Sequence, residues 1–173
     1  MDTYFVYDSH VTGRNFVGRK TECTVLSNLL EAGENVCLYD VPKAGKTSLV
    51  QQTLYNMRAS GKPFTVAYVD VFNVRTKREF LKKFGGAVLR AAYSTPSDYA
   101  SAIARHLQGT HFVFDAAQFA SKEDIVCMNW DADENDVYMM ASLPQKIALE
   151  KGMPVYVVFK EFQNVMQTPD FEV

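Results

Sequence analysis

The stretch Asp40-Val41-Pro42-Lys43-Ala44-Gly45-Lys46-Thr47-Ser48 stands between a short apolar run, Val36-Cys37-Leu38-Tyr39, and a segment of helical periodicity. That segment, Ser48 to Ser60, carries Leu49, Val50, Leu54 and Met57 on one side and ends at Gly61. A short apolar run between turn signals reads as a buried strand, so the stretch is a strand-to-helix connection. Upstream, Thr21 to Ala32 repeats helical spacing through Val25, Leu26, Leu29 and Leu30, and Gly33 suits the position just beyond a helix end. Downstream, Phe64 to Val69 is β-branched and aromatic and reads as a second strand; Pro154 to Phe159 reads as a third.

The intervening residues read mostly as helix. Thr76 and Glu79 have capping-box spacing ahead of Phe80, Leu81, Phe84, Val88 and Leu89, with Gly85 and Gly86 marking close packing or a weak point. Pro96-Ser97-Asp98 opens a short helix through Ile103 to Leu107. His111 to Phe114 and Ile125 to Trp130 look extended and are expected to pair as a hairpin. Asp133 to Asp136 supplies acids for the start of a helix running to Glu150, which Pro144 must kink or split. Strand, loop, helix, strand, helices, strand predicts a three-layer α/β fold with a mostly parallel sheet, in which a helical and hairpin insertion at about 91–150 precedes the last strand.

Composition narrows the classes. With 173 residues, 47% of them hydrophobic, the chain can build one domain with a core and is not a disordered polymer. Eighteen Lys and Arg against 20 Asp and Glu give no net basic field to draw the whole chain onto nucleic acid or an anionic membrane. Apolar stretches such as Val155 to Phe159 are strand length, far short of the ~20 residues of a membrane span. Met1 to His10 carries Asp2 and Asp8 and no basic or apolar leader pattern. Cys23, Cys37 and Cys127 are odd in number with no CxxC pair, which fits reduced thiols of a cytoplasmic protein better than a disulfide framework or a zinc site.

The connection itself carries the chemistry. Gly45-Lys46-Thr47 matches the end of a phosphate-binding loop, the Walker A form, while Asp40 replaces its leading glycine. Backbone N–H groups of such a loop and of the first helical turn converge on one small volume, where the helix dipole favours an anion. Pro42, Lys43, Ala44, Gly45, Lys46, Thr47 and Ser48 are therefore the candidate phosphate-binding residues for ATP, with Lys46 at the β and γ phosphates and the Thr47 hydroxyl as an Mg²⁺ ligand. The same tripeptide also suits a structural turn with a solvated lysine. Asp40 either crowds phosphate or, at the loop entrance, points away.

A second element of phosphate sites is an apolar strand ending in acid. Val155-Tyr156-Val157-Val158-Phe159-Lys160-Glu161 has that form, and its strand is expected beside or near the first, with Glu161 across from Thr47. Glu161 is the candidate general base that orients water for attack on the γ-phosphate, or else an exposed acid at a strand end. Lys160 holds the position where an Asp commonly supports the metal, which also allows a nucleotide-dependent switch or interaction module with weak turnover. Asp70 faces the site or caps the following turn through Asn73. Lys77, Arg78, Lys82 and Lys83 read as a solvated helix face, and Trp130, Met139 and Met140 as packing. No acceptor site for a phosphotransferase stands out, and the absence of an Asn-Lys-x-Asp guanine-reading segment favours ATP over GTP.

Asn15-Phe16-Val17-Gly18-Arg19-Lys20-Thr21-Glu22 resembles the Phe-Val-Gly-Arg-x-x-Glu segment that precedes the phosphate loop in AAA-type ATPases of the archaeal and Bacteroidetes AAA family ATPase group, relatives of initiator and signal-transduction ATPases. Leu38 to Leu49 resembles that group's phosphate loop, and Lys160-Glu161-Phe162-Gln163-Asn164 its second motif. The resemblance implies an ATP-binding P-loop domain over 1–173 in which Phe16, Val17 and Arg19 lie against the adenine. Members of the family continue into a sensor strand, a fifth strand, a helical lid and often a DNA-binding winged helix, so the chain is expected to be the N-terminal part of a longer protein. Up to Val173 the sequence has neither a helix-turn-helix signature nor a basic stripe with interleaved aromatics, so any DNA binding is expected only through a region beyond it. The truncated sheet is expected to leave an uncovered apolar face, and with it poor cooperativity, self-association or a protein partner.

Overall fold

The computed structural model describes residues 9–115 and 125–167; the leading 1–8 and the loop expected at 116–124 lie outside the described residues. The chain divides into two compact units, Met1–Pro63 and Phe64–Val173.

In the first unit a 3₁₀ turn, Gly13–Asn15, leads to α1 (Lys20–Glu31), followed by α2 (Lys46–Ala59). Both helices end on glycine in the left-handed conformation, Gly33 with φ 80° and Gly61 with φ 81°. Behind α1, Gly33 N–H donates to the Leu30 carbonyl and Glu34 N–H to that of Leu29, the paired bonds that close a helix end on glycine. Cys23, Leu26 and Leu49 form a small core, with Phe16, Leu30, Leu38 and Val50 packed against it. Val36 to Tyr39 differs from expectation. It joins neither ladder among the described residues, and Val36 and Tyr39 are exposed. A strand exists only through a partner's hydrogen bonds, and among the described residues this unit holds no strand to supply them. Only Leu38 of the run packs inward.

The second unit is α/β. β1 (Thr65–Asp70) pairs in parallel with β4 (Val155–Lys160), in a register running from Thr65 opposite Val155 to Asp70 opposite Lys160. The last strand was expected near Val36 to Tyr39, but its neighbour is β1. Between them come α3 (Lys77–Ala92), α4 (Pro96–His106), the antiparallel pair β2 (Phe112–Phe114) and β3 (Val126–Met128), α5 (Glu134–Ala141) and α6 (Leu143–Lys151). Among the described residues the sheets are thus one parallel and one antiparallel pair, the latter being the expected pairing of the two extended segments.

Local chemistry sets these boundaries. The Thr95 and Asp133 side chains each accept from the N–H three residues on, with Asp98 and Asp136 reciprocating in full capping boxes. Thr76 accepts from Glu79 N–H, but the Glu79 carboxylate turns to Arg75 N–H, so that box is only half made. Pro144 splits the expected long helix, taking a place in the first turn of α6 where its missing N–H costs nothing.

One face of the parallel pair turns Ala67, Val69, Val155, Val157 and Phe159 toward the core, which includes Val71, Val88, Leu89, Ile125 and Ile147. The rings of Phe80, Phe84 and Phe159 stack on one another at 5.9 to 6.0 Å and lock α3 to β4. By strand alternation the opposite face carries Val66, Tyr68, Tyr156 and Val158, with the Phe64 and Tyr156 rings edge to face at 5.4 Å. At the far ends of the helices, Glu150 accepts from the Tyr93 hydroxyl at 2.9 Å and meets His106 Nε2 at 2.5 Å and Arg105 at 2.7 Å. Burial first, and Glu150 second, push the Tyr93 phenol up to about 12. Met140 is fully buried and Met139 packs on the core as expected, whereas Trp130 is 70% exposed and is not core.

Gly85 is a close-packing position. A methyl there would meet Met140 Cε at 2.6 Å, whereas one on Gly86 would rest 3.8 Å from Ile125. Gly86→Ala is expected to stabilise by the helix-propensity gain of about 0.5–1 kcal/mol. For Gly85→Ala the end of the Met140 side chain must shift, and because Met140 is fully buried it has no solvent to move into, so overpacking of about 1–3 kcal/mol is set against the same gain. Thermal unfolding of the two variants should move in opposite directions; equal shifts would contradict this packing.

His111 donates its backbone N–H to Asp136 Oδ1 and places Nδ1 2.8 Å from Asp136 Oδ2. The Asp136 side chain holds the imidazole pKa above its ordinary value. Burial would raise the Asp136 carboxyl, but the bonds from His111 and Asp133 prevail and lower it. The histidine's contribution is complete below its unfolded value of 6.5 and fades as pH rises through the raised folded one. The aspartate's contribution is complete above 3.8 and fades as pH falls through the lowered one. In urea unfolding from about pH 5 to 8, wild type should lose stability relative to His111→Gln as pH rises; parallel profiles would exclude the pair as the cause.

Candidate functional site

The loop ahead of α2 has two left-handed residues, Lys43 with φ 65° and Gly45 with φ 79°, on either side of Ala44. Ala44 N–H closes a turn onto the Val41 carbonyl at 3.3 Å. The Lys46 ammonium bends back over the loop and donates to the carbonyls of Asp40 at 2.7 Å and Val41 at 2.9 Å. A single cation therefore fastens the loop's entrance to the first turn of the helix it opens. Asp40, in the place of the expected glycine, accepts from Val41 N–H at 2.7 Å and so occupies one loop amide itself.

The remaining phosphate candidates divide. Pro42, Lys43 and Thr47 are exposed, and the Thr47 hydroxyl is a hard oxygen of the kind Mg²⁺ accepts. Ser48 is buried and its hydroxyl accepts from Val11 N–H at 3.0 Å, so its side chain is committed to the preceding segment. Its backbone N–H lies in the first turn of α2.

Besides Val11, the segment before α1 reaches this loop through Arg19. Gly18 and Arg19 are both left-handed, with φ 79° and 54°, and the Arg19 guanidinium donates to the Ala44 carbonyl at 3.0 Å while its Nε meets Glu22 at 3.3 Å. Phe16 packs against Cys23, Leu26 and Leu49, and Val17 is 87% exposed. A cavity of about 580 Å³ lies in this unit, lined by Phe16, Gly18, Cys23, Gln52, Asn56 and Met57 among others. Gln52 and Asn56 were not singled out from the sequence; their spacing of four on α2 was the available signal, and their side chains bond to each other at 2.8 Å.

Glu161 belongs to the second unit. It ends β4 with φ 57°, an unusual conformation for a side chain of its size, and the turn folds Phe162 back onto Phe159 at 5.2 Å. Its carboxylate is exposed and accepts from Gln163 at 2.6 Å. Lys160 lies over the Tyr68 ring, 6.0 Å from its centre. Asp70 caps the turn after β1, though by accepting from Phe72 N–H and not through Asn73. Arg78 of the basic cluster reaches the Met128 carbonyl, and Lys83 approaches that of Asp70 at 3.5 Å, so this helix face is not wholly solvated.

One further group of metal-ligating type exists among the described residues. Ligand atoms of His111, Asp133 and Asp136 lie within 4.8 Å of one another. Asp136 is fully buried and already accepts from His111 N–H, His111 Nδ1 and Asp133 N–H, so the cap of α5 accounts for the arrangement.

Among the described residues no helix is long and apolar enough to cross a membrane. No family model, curated protein or solved structure matches the chain.

Proposed function

We propose that the chain is an ATP-binding, Mg²⁺-dependent ATP-hydrolysing P-loop domain of AAA type, with a three-layer α/β architecture. The observation that carries the reading is the loop from Asp40 to Ser48, whose left-handed turns and folded-back Lys46 open α2. In it the amides of Lys43, Gly45, Lys46, Thr47 and Ser48 receive phosphate oxygens while Ala44 N–H stays on the Val41 carbonyl, Pro42 shapes the entrance, and Lys46 exchanges two carbonyl dipoles for oxyanions. The ammonium's bonds to carbonyls carry a charge on one side only, whereas those to phosphate carry opposite charges on both sides, and the added Coulomb attraction favours the exchange. Thr47 fits the metal, which when bound would neutralise phosphate charge. Glu161 orients the attacking water, and Phe16 and Val17 form the adenine side.

A second reading, a nucleotide-dependent switch or interaction module with slow turnover, is favoured by Lys160. A cation stands where a metal-supporting carboxylate is usual, and it lies near the Tyr68 ring.

Isothermal titration with MgATP should show Lys46→Ala weakened about 10- to 100-fold, the scale of a lost charged hydrogen bond. Unchanged affinity would remove the loop as the site. Glu161→Gln should leave binding intact and slow hydrolysis by about 10²–10⁴. Tight binding with no phosphate release from wild type in a single turnover would favour the switch.

A further inference from the structure

We infer that Arg19 is a positioning residue for the phosphate loop, acting through the Ala44 carbonyl and not through the adenine. The inference rests on the proposed phosphate reading of residues 42–48. The Arg19 guanidinium reaches 25 residues along the chain to donate to the Ala44 carbonyl at 3.0 Å. It sits against the loop so closely that a Cβ on Gly45 would lie 3.7 Å from Nη1. In a trans peptide the C=O of one residue and the N–H of the next point in opposite directions. Holding the Ala44 oxygen toward Arg19 therefore turns Gly45 N–H to the opposite side of the loop.

Two cations thus share the loop's carbonyls. Lys46 takes those of Asp40 and Val41, and Arg19 takes that of Ala44. Their roles differ once an anion arrives. Lys46 leaves its carbonyls for phosphate, whereas Arg19 stays and keeps the 44–45 peptide from flipping its carbonyl toward the anion. Glu22 steadies the guanidinium from α1, and its bond at 3.3 Å is long enough to be auxiliary. An arginine that reads only the base would matter to ATP alone. One that orients the loop matters to any polyphosphate.

Titrations of the full chain with ATP and with inorganic tripolyphosphate separate these roles. Arg19→Gln is expected to weaken both ligands by the same factor, about tenfold, and to shift the Gly45 amide cross-peak in the ligand-free protein. Should Arg19→Gln fail to fold, Arg19→Lys takes its place, with a smaller loss again equal for the two ligands. A loss confined to ATP, or an unmoved Gly45 amide with unchanged tripolyphosphate affinity, overturns the inference. Lys46→Ala run alongside keeps the two failures apart. If it binds both ligands like wild type, the phosphate reading itself falls; if it loses both while the Arg19 variant loses neither, only the Arg19 role falls.

Discussion

Two neighbouring parallel strands cannot be joined by a tight turn; the chain must travel back along the sheet before it can enter the second strand. β1 and β4 are such a pair, and the whole of the second unit follows from that return journey. Among the described residues of 71–154 the return is made with four helices and an antiparallel strand pair, and the core lies where they meet Ala67, Val69, Val155, Val157 and Phe159. The stacked rings of Phe80, Phe84 and Phe159 join the first helix of the crossover to the strand that ends it. The same pairing sets Asp70 opposite Lys160, side by side at the strand ends where Glu161 begins the final turn.

Much of this was legible because it is written in neighbouring residues. Thr95 with Asp98, Asp133 with Asp136, Pro144, and Gly33 beyond α1 each act within one turn of a helix, so spacing alone reveals them. The strands Phe64 to Val69 and Pro154 to Phe159 were legible through β-branched and aromatic content, but their partnership was not. Pairing is a relation between segments 90 residues apart in register, Thr65 to Val155. Val36 to Tyr39 shows the opposite failure: apolar content suggested a strand, and no ladder among the described residues includes it. Trp130 misled for a similar reason, since its composition says nothing of which side of the chain meets the core.

The candidate site divides in the same way. Gly45, Lys46 and Thr47 stand out by spacing, but the acceptors of Lys46 are main-chain carbonyls that any residue type would provide. Asp40 looked like a departure from pattern, and its carboxylate is bound to the adjoining amide. The hold of Arg19 on Ala44 and the joining of His111 to Asp136 span 25 residues each and leave no periodic trace.

The left-handed backbone at Glu161 carries a cost of its own. Glycine is the residue that this conformation prefers, and a side chain there gives up about 1 kcal/mol or more. Stability and the carboxylate thus pull in opposite directions at a single position. Selection for a sturdier fold alone would drift toward glycine at 161, so a carboxylate retained there across related chains would measure how strongly it is needed for something other than folding.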